Sequence, residues 1–406
     1  ERWDLKGRLD DPLPGFIAAT LRMSHNDYIH SEIEPIAGEE DDHDHGSTVF
    51  DVDSFHSRLE LEHRPVAGWR GALGIQYEDE SLTAEGEEAF VPSGETRSQA
   101  LFVLEEKETG DFTWTLGARV ERNRVRIDAY DADHDHDEHE EEHEDEADLP
   151  PRSFTAYSAS AGALWRMSDQ WQASLNYSRA QRAPSQTELF ADGPHAATFT
   201  FERGDPGLTK ETTNGFDLIL HRHSRSFDFE ISLFYNDISD FVFLDETGET
   251  LLGMPVRTTR QSDASFYGGE MRGVWQLHDT SAGDFDFHVG HDWVRASLDR
   301  GGALPRISPR RLSTGVDWHR GNARASLDYQ HVSSQDRVAD NETETAGYDM
   351  LDLGLGYHLQ FGQSELELFA RASNLLDEEA RVHTSFLKNF APLPGRNYTL
   401  GLRGRF

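Results

Sequence analysis

The sequence contains no cysteine. That excludes disulfides, thiolate metal sites and Cys-based redox chemistry. It also lacks any run approaching the roughly 20 consecutive apolar residues of a membrane helix. Positive charge is scarce: 38 Lys and Arg stand against 75 Asp and Glu, a formal net charge of −37. Such a chain repels phosphates, which rules against nucleic acid as a partner, and it favours cations instead. No Gly-x-Ser-x-Gly, phosphate-cradling glycine loop or His-Glu-x-x-His is present, so the chain is read as a non-enzyme with no catalytic residues and no catalytic cofactor. No signal peptide is visible, and residue 1 already lies in strand-like sequence, so an N-terminal part is expected upstream.

What the sequence does contain is period-2 alternation. Phe285, Phe287, Val289, His291 and Trp293 share one face of 284–294, with Asp284, Asp286, His288 and Asp292 on the other. Phe227, Phe229, Ile231, Leu233 and Tyr235 alternate with Asp228, Glu230, Ser232, Phe234 and Asn236. The same holds for Leu366, Leu368, Ala370 and Ala372 against Glu365, Glu367, Phe369 and Arg371. Alternation alone fits a soluble sandwich or a membrane barrel, and a membrane barrel also reads as polar in mean hydropathy.

The connections separate the two. Short turns recur at about 10–15, 64–68, 109–111, 167–170, 223–226, 278–284, 319–322 and 361–363. Long polar or Gly/Pro-rich stretches fall between them, at about 31–47, 80–95, 128–151, 183–210, 244–260, 299–308, 335–347 and 381–395. Short and long alternate without exception, as in a barrel with short periplasmic turns and long external loops. The expected fold is all-β, a transmembrane antiparallel β-barrel with about 17 strands in this chain. Trp69, Trp114, Trp165, Trp171, Trp275, Trp293 and Trp318 are candidates for interfacial girdles. The last strand runs Asn397 to a terminal Phe406, with Tyr398, Leu400 and Leu402 on the same face.

Three stretches carry a family resemblance. The first is Arg182-Ala183-Pro184, then Glu188-Leu189, then Glu202-Arg203-Gly204-Asp205-Pro206-Gly207-Leu208 and Glu211, with Asp205 where an Asn is usual. The second is Ser373-Asn374-Leu375-Leu376-Asp377, and the third is Gly395-Arg396-Asn397-Tyr398 through Phe406. They resemble the TonB-dependent outer-membrane receptors. That resemblance implies a barrel of about 22 strands, an N-terminal plug, energy coupling through TonB–ExbB–ExbD, and a place in outer-membrane lipid. Residues 1–406 then form the C-terminal part of such a barrel, with the plug and roughly five strands expected upstream.

Within the family the nearest resemblance is to the zinc-importing (ZnuD-like) branch. It rests on Tyr28-Ile29-His30-Ser31-Glu32-Ile33-Glu34 and Asp192-Gly193-Pro194-His195-Ala196-Ala197-Thr198. The resemblance implies that His195 and an acid, Glu32 or Glu34, help hold zinc near the external mouth, with more ligands on the plug. His30 shares strand parity with both acids.

The residues themselves point to metal as cargo. The stretch 128–148 holds His134, His136, His139 and His143 among thirteen Asp and Glu; 38–46 holds His43 and His45 among five more acids. Imidazole with carboxylate suits Zn²⁺, and less selectively Cu²⁺, Ni²⁺ or Mn²⁺. These tracts read as low-affinity collectors of cations, or alternatively as acidic loops with incidental histidines. His221 and His223 share parity beside a short turn and read as periplasmic-side residues. Active zinc import is the leading expectation. The alternatives are a receptor for a metal chelate such as a siderophore, haem or cobalamin, a passive porin or surface metal buffer, and a soluble β-protein with acidic loops.

Overall fold

A computed structural model describes residues 1–33, 47–86, 89–128, 150–299, 301–362 and 364–405. The strands are β1 Arg2–Asp10, β2 Phe16–Ile33, β3 Ser47–Val66, β4 Trp69–Glu85, β5 Gly94–Thr109, β6 Phe112–Ile127, β7 Arg152–Arg166 and β8 Trp171–Arg182. A short helix, α1 Gln186–Phe190, leads to β9 Asp192–His195 and β10 Thr200–Arg203. Then follow β11 Glu211–His223, β12 Phe227–Leu251, β13 Met254–Thr280, β14 Gly283–Leu298 and β15 Arg311–Arg320. The chain ends with β16 Ala323–Val332, β17 Tyr348–Phe361, β18 Ser364–Ser373 and β19 Asn397–Arg405. The architecture is the expected antiparallel, barrel-type sheet of 19 strands. Two of these, β9 and β10, have four residues each and lie inside the 183–210 connection; the other 17 agree with the count expected from alternation.

Two compact units can be described. The first comprises Glu1–Gly162, Ser178–Asn214 and Ile238–Asp263. In it the register carries the alternation across neighbouring strands. Leu21 faces Leu59, Leu59 faces Ile75, Ile75 faces Leu101 and Leu101 faces Val120. This row is one side of the sheet, and Ile75 and Leu101 are more than half exposed. Water does not tolerate so regular an apolar band on a monomer surface, whereas lipid does. The opposite side is charged and paired along and across strands: Arg58 contacts Glu60 at 2.6 Å and stacks over Phe102 at 4.2 Å, and Ser98 donates to Glu121 at 3.0 Å. The apolar core of this unit, Val125, Phe154, Leu189, Phe190, Leu208 and Val242, gathers around α1.

The second unit comprises Ala163–Tyr177, Gly215–Asp237 and Ala264–Phe406. Its exposed row follows the same logic, with Trp275 facing Phe287, Phe287 facing Val316, Val316 facing Leu327 and Leu327 facing Leu353. Its other side carries His288, 3.0 Å from Asp328. Of the seven girdle candidates Trp114, Trp165 and Trp275 are exposed, while Trp69, Trp171, Trp293 and Trp318 are half-buried.

All eight short turns fall where the sequence places them. Among the described residues one long connection does not. The segment 244–260, expected as a loop, is strand on both sides of a two-residue turn, Leu252-Gly253, both residues in the left-handed region (φ 52° and 80°). Its charges made it look like a loop, but they pair across the hairpin: Arg257 with Glu246 and Arg260 with Asp245, each at 3.2 Å. Thr247 Oγ1 also donates to the Val256 carbonyl at 3.0 Å. Paired charges cost a strand little, so polarity was a poor guide to loop here.

Three long connections of the second unit meet at one carboxylate. Glu342 Oε1 accepts from the Arg306 N–H (2.9 Å) and from Lys388 Nζ (3.0 Å), and its Oε2 accepts from the Ala339 N–H (3.1 Å). His383 Nε2 lies 3.2 Å away, and its Nδ1 bonds Thr345 Oγ1 at 2.9 Å. All three charged or titratable side chains are buried. Burial pushes the Glu342 carboxyl up, but the His383, Ala339, Arg306 and Lys388 donors outweigh it and hold the group down at about 2.

Candidate metal site on the external connections

The stretch that carries the strongest family resemblance proves to be a scaffold. Ser185 caps α1, accepting from the Glu188 N–H at 3.2 Å, while Glu188 Oε2 accepts from the Ser185 N–H at 2.8 Å. This reciprocal box satisfies two donors that the helix start would leave open. Arg182 ties the same Glu188 (2.8 Å) to Glu211 (3.1 Å). Gly204 is required because a Cβ there would lie 2.6 Å from the Phe190 nitrogen. Asp205 Oδ1 accepts from the Gly207 N–H at 2.7 Å, a role that an Asn carbonyl performs equally, so the departure from the usual Asn is neutral.

On this scaffold β9 and β10 form a small hairpin, with Thr200 opposite His195 and Glu202 opposite Gly193. β10 then lies parallel to β13, Glu202 beside Arg257. His195 Nδ1 is 3.0 Å from Glu202 Oε1, and Thr198 and Thr200 hydroxyls reach the same oxygen at 3.3 Å. Burial pushes the Glu202 carboxyl up; the hydrogen bond and charge of His195, with Thr200 and Thr198, overcome this and hold it below its ordinary value. An ionised carboxylate can only accept, so Nδ1 of His195 is the donor in this contact and Nε2 is the ring nitrogen turned away from Glu202. That is the arrangement by which a carboxylate orients a metal-binding imidazole.

The His195 ring is fixed from the side by Phe90, stacked at 4.0 Å and 9°. Phe90 can come this close because Gly193 has no side chain; a Cβ there would sit 2.8 Å from Phe90 Cα. Phe90 meets Phe50 edge-on at 6.2 Å, and Phe50 stacks on His30 at 5.0 Å, its cross-strand partner. The structure therefore joins the two separately predicted histidines, His30 and His195, through one aromatic row on the first unit. Glu32 lies in β2, with its side chain outside the described residues. Glu34, His43, His45, His134, His136, His139 and His143 also lie outside the described residues.

Sequence reasoning passed over Glu202 as a site residue, although it stood in a quoted motif. Its signal was parity with Thr200, the first residue after the turn that follows His195. Among the described residues one cluster has three metal-capable donors within 4.8 Å of one another, and it shares no residue with the His195 row: His221, His223 and Asp228.

Comparison with known proteins agrees with this architecture. Residues 2–375 match the family described as TonB dependent receptor-like, beta-barrel. The chain is 25% identical over 265 residues to Heme/hemopexin utilization protein C of Haemophilus influenzae (strain 86-028NP), covering 59% of this chain and 36% of that protein. Among solved structures it resembles the Copper transporter OprC, with a TM-score of 0.80 and 16% identity, over 99% of this chain and 64% of that one. It also resembles the FrpB iron transporter from Neisseria meningitidis (F3-3 variant), with a TM-score of 0.71 and 13% identity, over 99% and 62%. At such identities the structural likenesses show the fold. The chain spans about a third of the length of the curated relative and less than two thirds of these structures. It belongs to the TonB-dependent receptor β-barrel family, an outer-membrane family whose members are not enzymes.

Proposed function

We propose that this receptor barrel takes part in TonB-coupled import of a transition-metal cargo, with zinc the leading candidate, and that His195 Nε2 is one of its external ligands. The carrying observation is the Glu202–His195 pair at 3.0 Å, a contact of the kind by which a carboxylate orients a metal-binding imidazole. In this proposal His195 supplies one imidazole to an imidazole-preferring divalent ion, with its other ligands on the plug, and His30 with the acid of the first motif is a separate donor pair at the far end of the aromatic row. The His/acid tracts at 38–46 and 128–148 act in this proposal as collectors that raise cation concentration above the mouth. Coupling through a plug to TonB–ExbB–ExbD belongs to the same proposal.

A second reading has its own observation. Phe90 and Phe50 present stacked and edge-on rings beside His195, which suits a flat aromatic chelate with an imidazole-ligated metal. The resemblance to a haem utilization protein favours this reading.

Titration of the full-length protein in detergent separates the two. Zinc import predicts saturable Zn²⁺ binding that weakens on the order of 10- to 100-fold in Glu202→Gln, the usual cost of losing a carboxylate that orients a metal-binding histidine. Copper competition then ranks the metals. Binding no tighter than millimolar, or binding indifferent to both Glu202→Gln and His195→Ala, refutes the zinc reading. A haem absorbance shift that disappears in His195→Ala establishes the chelate reading instead.

A further inference from the structure

The hairpin of β11 and β12 turns at Ser224–Ser226, within the second unit. The turn is closed by its own bonds: the Ser224 N–H donates to the Phe227 carbonyl at 2.9 Å, and Ser224 Oγ accepts from the Phe227 N–H at 3.1 Å. His221 and His223 lie two residues apart on β11 and therefore on one face. Asp228 lies on β12, on the face opposite the exposed Leu233 and Tyr235. Across the turn Asp228 Oδ2 is 2.7 Å from His223 Nδ1 and 3.4 Å from His221 Nε2. Arg222, the cation between the two histidines, is turned away, stacked over the rings of Trp171 and Phe227 at 5.7 and 5.2 Å. Its charge is therefore directed away from the three donors.

We propose that His221, His223 and Asp228 form a second divalent transition-metal site, at the periplasmic, short-turn end of the barrel wall. Two imidazoles and one carboxylate, with a fourth position left to water, are a ligand set for Zn²⁺, Cu²⁺ or Ni²⁺ and a poor one for Mg²⁺. Tetrahedral donors at about 2.0–2.1 Å from an ion stand about 3.3 Å from one another. The His221–Asp228 pair already has that spacing. The His223–Asp228 pair must open by about 0.6 Å, as the shared proton leaves Nδ1 and the ion takes its place. The closed turn keeps both strands in register during that change. The site shares no residue with the His195 row, so it stands or falls independently of the cargo proposed there.

Histidine footprinting of the full-length protein in detergent tests the site without being confused by the many other metal-binding residues. Diethyl pyrocarbonate modification is read residue by residue by mass spectrometry, with and without Zn²⁺. The expected result is that micromolar Zn²⁺ slows modification of His221 and His223 together, on the order of tenfold, and that Mg²⁺ does not. Asp228→Asn should raise the zinc concentration needed for protection at least tenfold, with an unchanged strand spectrum, while His195→Ala leaves it where it was. Equal modification rates at His221 and His223 with and without saturating zinc overturn the proposal. So does protection that survives Asp228→Asn unchanged, or that disappears in His195→Ala.

Discussion

Replacing Glu342 by Gln removes the one charge on which three long connections converge. The ionised carboxylate is favoured by the fold, its pKa held at about 2 against an ordinary 4.5. That gap corresponds to about 3 kcal/mol of stabilisation at neutral pH. The sign follows from a depressed pKa. The stabilisation is complete above about pH 4.5, declines as pH falls, and is gone below about 2, with about 2 kcal/mol already lost at pH 3. Glu342→Gln also leaves Lys388 buried without its counter-charge, which adds to the loss. The connections open locally, so the readout is hydrogen exchange by mass spectrometry over peptides that contain the Arg306 and Ala339 amides, both donors to Glu342. Their protection should fall about a hundredfold in Glu342→Gln at pH 7, and about twentyfold in the native protein between pH 5 and pH 3. Adding Lys388→Met to Glu342→Gln should recover part of it. Unchanged exchange at both amides in the single variant, or a flat profile from pH 5 to 3, refutes the assignment of Glu342 as the anchor.

Two further outcomes follow from buried geometry. Asn374, buried and left-handed at φ 51°, donates to the carbonyls of Glu378 (2.9 Å) and Pro394 (3.1 Å) and accepts from the Glu378 N–H (3.0 Å). Asn374→Ala strands these groups and should cost about 2–3 kcal/mol, read as a lower unfolding temperature in detergent. Gly193→Ala drives a Cβ against Phe90 and should unstack it from His195, weakening zinc at that site while leaving zinc protection of His221 and His223 unchanged.

Most of the fold was legible because a membrane barrel repeats one local rule. Alternation gives each strand its two faces, and short turns mark where one end of the sheet lies. The rule failed at 244–260, where charge in sequence suggested a loop and pairing in space made a strand. Arg257 and Glu246 are eleven positions apart, so their pairing is invisible until the two-residue turn at Leu252-Gly253 is known. The candidate site divided along the same line. His30 and His195 were visible as residue types in motifs. Glu202 became a site residue only when the β9–β10 hairpin placed it diagonally across from His195. Asp228 likewise joined His221 and His223 only through the register of a turn. The Asn of the 373–377 motif satisfies backbone, and the Gly of the 202–208 motif makes room for it.

The parallel seating of β10 on β13 has a mechanical consequence. Beyond Asp240, residues 241–251 carry the β12–β13 tip outward through about 35 Å of paired chain. The backbone rungs Phe201–Val256, Glu202–Arg257 and Arg203–Thr258 fasten the β9–β10 hairpin to that arm. The arm is thus a lever with its handle at Leu252, exposed at the tip. A push there reaches Glu202 through the rungs and His195 through its hydrogen bond, so whatever grips the handle from outside also grips the imidazole.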